Sequence, residues 1–125
     1  MKSKTWWIVG AIVVVAVIIG AVVWYENTPG EYDQFAECIA KSGATFYGAF
    51  WCPHCEAQKA MFGKSADKLP YVECSTPDGQ SQNQVCTDKG IMEYPTWFFA
   101  NSSSTTGVLD FGQLSQATGC ALPKQ

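Results

Sequence analysis

The apolar run Ala44-Thr45-Phe46-Tyr47-Gly48-Ala49-Phe50 leads straight into Trp51-Cys52-Pro53-His54-Cys55, and beyond it Gln58, Lys59, Met61 and Phe62 recur at helical spacing. Aromatic residues in a short run read as a strand, and the following period reads as a helix from Cys52 through about Ala66. Pro53 fits that helix only in its first turn, where backbone N–H groups have no partner to lose. The chain must therefore turn from strand to helix at a pair of cysteines. Two thiols separated by two residues at a helix start can close a small reversible disulfide, so the chemistry implied is thiol-disulfide exchange.

A second feature divides the 125 residues. From Trp6 to Tyr25 the side chains are only Trp, Tyr, Ile, Val, Ala and Gly. As a helix this run is roughly 30 Å long, the thickness of a bilayer's hydrocarbon layer. Trp6 and Trp7 at one end and Trp24 and Tyr25 at the other suit the two interfacial belts. The run is too long for the apolar part of a cleaved signal peptide, and no small-residue cleavage site ends it, so an anchor is expected. Lys2 and Lys4 precede the span while Glu26, Glu31, Asp33 and Glu37 follow it. The positive-inside rule then keeps the N-terminus in the cytoplasm and puts the rest outside the cell membrane on a single pass. The expected organisation is a cytoplasmic stub and transmembrane helix at 1–25, a linker at 26–30 and one domain at 31–125.

Past the span six lysines and no arginine face eleven carboxylates, a net charge of minus five. That surface repels phosphate backbones, which excludes nucleic acid as a partner. All six cysteines lie on the extracytoplasmic side of the expected anchor, where disulfides persist.

Within the domain, Tyr32, Phe35, Ala36, Ile39 and Ala40 recur at helical spacing up to Ser42-Gly43. The Ala44–Phe50 strand and the cysteine-led helix follow. Leu69–Cys74 reads as a second strand, Ser75–Gln80 as a loop, and Ser81–Lys89 as a short helix stopped by Gly90. Thr96–Ala100 is a third strand. Asn101–Gly107 reads as a turn, with Val108–Phe111 pairing back as a hairpin, and Gln113–Cys120 closes the chain as a helix.

This order of elements resembles the thioredoxin fold: α/β, a central mixed sheet flanked by helices, here behind one transmembrane helix. In that superfamily Tyr94-Pro95-Thr96 occupies the place of a cis-proline beside the active disulfide. More narrowly, Phe46–Cys55, Leu69–Cys74 and Gly90–Trp97 look like the thioredoxin-like domain associated with bacterial vitamin K epoxide reductase homologues. There the domain is commonly fused to a multi-helix, quinone-linked membrane oxidase. No such unit lies within these 125 residues, so the resemblance implies a separate quinone-linked integral-membrane oxidase as partner, with protein thiols as substrates and no cofactor.

Only a thiolate attacks a disulfide efficiently. Cys52 faces the unpaired N–H groups and positive dipole end of its helix, which makes it the expected nucleophile, with Cys55 one turn deeper as resolving thiol. His54, the only histidine, adds positive charge or a hydrogen bond beside them. The Pro53-His54 dipeptide also occurs in strongly oxidising members of the superfamily. Potentials there run from about −120 mV to about −270 mV for thioredoxin, a span of roughly 7 kcal/mol for two electrons. The direction implied is oxidation of exported protein thiols. One departure stands out: where thioredoxin carries a buried acid six residues before the first cysteine, this chain has Phe46, leaving water or Glu56 to take the proton of Cys55. By the same resemblance Trp51, Tyr94 and Pro95 form the substrate-binding surface, with Tyr94 offering backbone hydrogen bonds.

Cys38, Cys74, Cys86 and Cys120 lack that electrostatic setting and are expected to be structural. With Cys52 paired to Cys55, three connectivities remain, and the order of elements favours Cys74–Cys86 with Cys38–Cys120. A metal site is not expected, because eleven residues separate Cys74 from Cys86 whereas structural zinc uses closely spaced ligand pairs. Two other functions compete with the oxidase: an extracytoplasmic disulfide reductase, and a thioredoxin-like binding module whose disulfide stays closed.

Overall fold

A computed structural model describes residues 1–124 of the chain. Its elements are α1 (Lys2–Asn27), α2 (Asp33–Lys41), β1 (Thr45–Gly48), α3 (Pro53–Phe62), β2 (Tyr71–Glu73), α4 (Gln84–Lys89), β3 (Thr96–Phe98), β4 (Ser104–Thr106) and α5 (Phe111–Thr118). Helix α1 buries none of its side chains, and its 26 residues, with a mean hydropathy of 2.8 over an 18-residue window, make it long and apolar enough to cross a membrane. It runs on through Glu26 and Asn27, which the sequence assigned to the linker. The Lys64 ammonium donates to the carbonyls of Tyr25 and Thr28 at its end, ties that only the folded chain brings together.

The sheet has the order β2-β1-β3-β4, with β1 parallel to β2 and the other pairs antiparallel. Alternation along β1 sends successive side chains to opposite faces. Phe46 enters the larger core with Phe35, Ile39, Phe62, Trp97 and Leu114, while Tyr47 joins Cys74, Cys86 and Ile91 in a smaller one. Phe46 is stacked on Trp97 at 4.8 Å and meets Tyr71 edge-on at 5.1 Å. The position that holds an acid in thioredoxin is here part of an aromatic layer.

The fully buried amide of Gln58 is satisfied by three hydrogen bonds. Its oxygen accepts from Leu109 N at 2.8 Å and Trp97 Nε1 at 3.2 Å, and its nitrogen donates to Leu109 O at 3.0 Å. It thereby pins the chain after β4 onto α3. Helix α5 starts with a capping box, in which the Asp110 carboxylate accepts from Gln113 N and the Gln113 side chain accepts from Asp110 N. A bond between Cys38 and Cys120 ties α2 to the segment after α5.

Four sequence expectations are corrected. The hairpin arm is not Val108–Phe111 but Ser104–Thr106, inside the stretch read as a turn. Thr105 and Thr106 pair with Trp97 and Thr96 on an edge strand whose residues are all exposed, so no apolar alternation marks it. Helix α3 stops at Phe62 because Gly63 takes a positive φ of +53°, and a 3-10 turn carries the chain to Lys68. The short helix begins at Gln84, because Gln82 is held in a bridge to Ser75. The last helix is Phe111–Thr118, which leaves Cys120 beyond its end.

Candidate active site

Strand β1 ends at Gly48, and Cys52 is the N-cap of α3 in extended conformation, φ −81° and ψ 119°. Its N–H donates to Ala49 O at 3.0 Å and its carbonyl accepts from Glu56 N at 3.1 Å, closing the turn between strand and helix. Cys52 and Cys55 are free thiols, 5% and 0% exposed. The Cys52 sulfur donates toward Tyr94 O at 3.7 Å, and the Tyr94–Pro95 peptide is cis. Pro53 and His54 lie exposed on the first turn of α3. Trp51, Cys52, Tyr94 and Pro95, distant in sequence, thus converge at one end of the sheet. Trp51, Cys52, Met92, Glu93, Tyr94 and Thr106 line an open groove of about 500 Å³ there.

Beneath this surface Cys55 sits against Gly48 and Tyr71. A Cβ at position 48 would lie 2.8 Å from the Cys55 sulfur and 2.9 Å from the Tyr71 ring, so only glycine fits. Burial pushes the Cys55 thiol up to about 12, and the backbone of Ala49 and the Lys59 ammonium oppose that rise without cancelling it. The ammonium lies 3.8 Å from the centroid of the Tyr71 ring and 3.9 Å from the Glu56 carboxylate. Tyr71 is itself held well above the ordinary phenol range, first by burial and then by its 2.7 Å hydrogen bond to Glu73. The other Glu73 oxygen accepts from Phe50 N at 3.2 Å and Ser75 N at 2.8 Å. The site therefore offers a sulfur at a groove floor and a second sulfur, kept protonated, one helical turn below.

The thioredoxin family profile matches residues 28–117, the part of the chain that carries all of this geometry. The chain belongs to the thioredoxin family. A stretch of 99 residues is 44% identical to Thiol-disulfide oxidoreductase LTO1 of Arabidopsis thaliana, covering 72% of this chain and 26% of that protein. Another, of 65 residues, is 37% identical to Protein disulfide-isomerase A2 of Homo sapiens and covers 48% of this chain and 12% of that one. The chain spans about a quarter or less of the length of these curated relatives.

Some members of this thioredoxin site escaped the sequence. Trp51 Nε1 donates to Ser75 Oγ at 2.9 Å, and Gln82 Nε2 donates to the Tyr94 hydroxyl at 2.6 Å. Tyr71 of β2 lies beside Cys55 at Gly48, Lys59 of α3 lies over the Tyr71 ring, and the Tyr71 hydroxyl donates to Glu73. No local pattern marks these residues, since each acts across a strand or loop. Of the other cysteines, Cys74 is bonded to Cys86 beside the groove, and Cys38 to Cys120. Among the described residues no His, Cys, Asp or Glu side chains gather into a metal-binding group.

Proposed function

We propose that this chain is a membrane-anchored thiol-disulfide oxidoreductase that oxidises thiols of exported proteins. Cys52 serves as the reacting sulfur and Cys55 as the resolving one. The observation that carries this reading is the asymmetry of the pair: Cys52 opens to the groove beside Tyr94 O, while Cys55 is buried and raised to about 12. A thiol held protonated at neutral pH and buried is a poor partner for exchange, which leaves Cys52 as the sulfur that meets the substrate.

In the oxidising cycle a substrate thiolate attacks the Cys52 sulfur of the closed disulfide. The Cys52–Cys55 bond breaks, and Cys55 leaves with the electron pair and takes up a proton. A second substrate thiolate then attacks the substrate sulfur of the mixed disulfide, releasing Cys52. The substrate loses two electrons and the cysteine pair gains them. Pro53 and His54 on the exposed first turn tune the pair, and Trp51, Tyr94 and Pro95 bind the incoming polypeptide.

For recycling we infer a quinone-linked integral-membrane oxidase, supported by the motifs shared with the domain associated with vitamin K epoxide reductase homologues. Residues 1–25 anchor the chain with the N-terminus in the cytoplasm, 26–30 tether it, and 31–125 form the extracytoplasmic domain. The short tether raises the effective concentration of the site at the bilayer surface. Replacing Cys55 by Ala in the native cell should trap mixed disulfides through Cys52, with exported proteins and one integral-membrane protein among them. Exported partners without any membrane protein would remove the recycling partner. A potential at or below about −270 mV would turn the direction to reduction.

A further inference from the structure

The disulfide-closed segment from Cys74 to Cys86 is built as a rigid arch. Ser75 and Gln82 form an antiparallel bridge across it, and Thr76 N donates to Ser81 O at 2.9 Å. The Asn83 side chain donates to the carbonyls of Glu73 and Ser75 at 3.0 Å each, and Asn83 N donates to Cys74 O at 2.7 Å. At the base the Cys74 and Cys86 Cα atoms lie 5.5 Å apart, and both side chains are fully buried.

From the two sides of that arch, one side chain each reaches an aromatic residue of the groove. Ser75 Oγ accepts from the indole N–H of Trp51, and Gln82 Nε2 donates to the Tyr94 hydroxyl and to Ile91 O. The Gln82 oxygen is occupied by Thr87 Oγ1 at 3.0 Å. The two rings touch edge to face at 5.9 Å, and Cys52 lines the same groove. The indole N–H donates to the arch and the phenol oxygen accepts from it, so the polar atom of each ring is turned to the arch and the ring hydrocarbon is left to a ligand. Trp51 is 52% exposed and Met92, on the same lining, 91%.

We propose that this arch is part of the substrate site: Ser75 and Gln82 are positioning residues that hold Trp51 and Tyr94 at a set spacing about Cys52, and the substrate so selected is an extended polypeptide with a large apolar residue beside its reacting cysteine. The inference rests on the oxidoreductase reading and specifies its substrate. An apolar flanking side chain buries its surface against the wall that the two touching rings form, whereas a glycine or serine there gains nothing from them. Losing one neutral hydrogen bond that fixes a wall is worth a several-fold change in binding.

The test uses the full chain in detergent with two reduced peptides, one carrying Leu and one carrying Gly next to cysteine, and glutathione disulfide as a probe too small to span the walls. Ser75→Ala and Gln82→Met should each raise KM for the Leu peptide about 3- to 10-fold at unchanged kcat and leave the Gly peptide and the small probe unaffected. Ser75→Thr keeps the acceptor and should restore KM. If Ser75 acts through Trp51, then Trp51→Phe, which deletes the N–H and keeps a ring, should absorb most of the Ser75→Ala effect in a double-mutant cycle. That pair also reads the same contact from the other side if one variant folds poorly. Equal losses on both peptides, or a changed rate with the small probe, would overturn the inference. A wild-type chain that exchanges with no thiol at all would instead sink the oxidoreductase reading beneath it.

Discussion

Cys52 and Cys55 stand one helical turn apart at the start of α3, whereas Cys74 and Cys86 join the end of β2 to the middle of α4. Fractional exposure hardly separates the two pairs, since Cys55, Cys74 and Cys86 are all at 0% and Cys52 is at 5%. What separates them is the immediate surroundings of each sulfur. Cys74 and Cys86 face each other inside the small core with Tyr47 and Ile91, packed by Val72 and Phe98. Cys52 faces a groove, a backbone carbonyl and a helix N-terminus. Cys55 lies behind it against glycine, an aromatic ring and a lysine. Burial makes a thiol inert only when nothing can approach it; a buried sulfur with one open side is a reactive one.

The sharpest way to break this contrast is to disrupt each pair in turn. Cys52→Ser should abolish exchange with peptide and small disulfides alike. A Cys74→Ala/Cys86→Ala chain should still exchange with a small disulfide, as followed by thiol release. Survival of exchange in Cys52→Ser would show that the second pair carries redox chemistry of its own.

Stability should order the bonds differently. Removing Cys38–Cys120, whose ends are 82 residues apart, is expected to cost about 4.5 kcal/mol on the chain-entropy argument, and removing Cys74–Cys86, 12 apart, about 3 kcal/mol. Urea midpoints of the two double-alanine chains check the order. A larger loss at Cys74–Cys86 would mean that the arch stabilises the fold beyond closing its loop.

The smallest effect sharpens the surroundings of Cys55. With Cys52→Ala the remaining thiol should still titrate above its ordinary 9.0, because burial is the leading cause of its rise. Thiolate absorbance against pH measures it. Lys59→Met should push that titration further up and Lys59→Arg should not, because the ammonium favours the thiolate. The sign for stability follows from the raised value. The reduced domain keeps the contribution of this thiol below its unfolded pKa and loses it as pH climbs toward about 12. A Cys55 that titrates at the ordinary value would remove the asymmetry on which its resolving role rests.

Much of the site was legible because its signals are local. A strand that runs into Cys52-Pro53-His54-Cys55 can only place the pair at a helix start, since proline is tolerated there and not deeper. The long apolar span announced α1, whereas Tyr94-Pro95 was placed beside the pair only through the family resemblance. Strand β4 stayed hidden because an exposed edge strand needs no apolar alternation, and Ser104–Thr106 shows none.

The sequence by itself thus determined the thiol pair, its helix-start position and most of the helices and strands around it. Those follow from periodicity and from the dihedral limits of neighbouring residues. Only the tertiary structure decided that Ser75 holds Trp51, that Gln82 holds Tyr94, that Gln58 satisfies Leu109 and that Lys59 lies over Tyr71. Side-chain hydrogen bonds and cation–ring contacts between distant residues depend on strand register and helix docking to within an ångström or so, and no local pattern of residues encodes that distance.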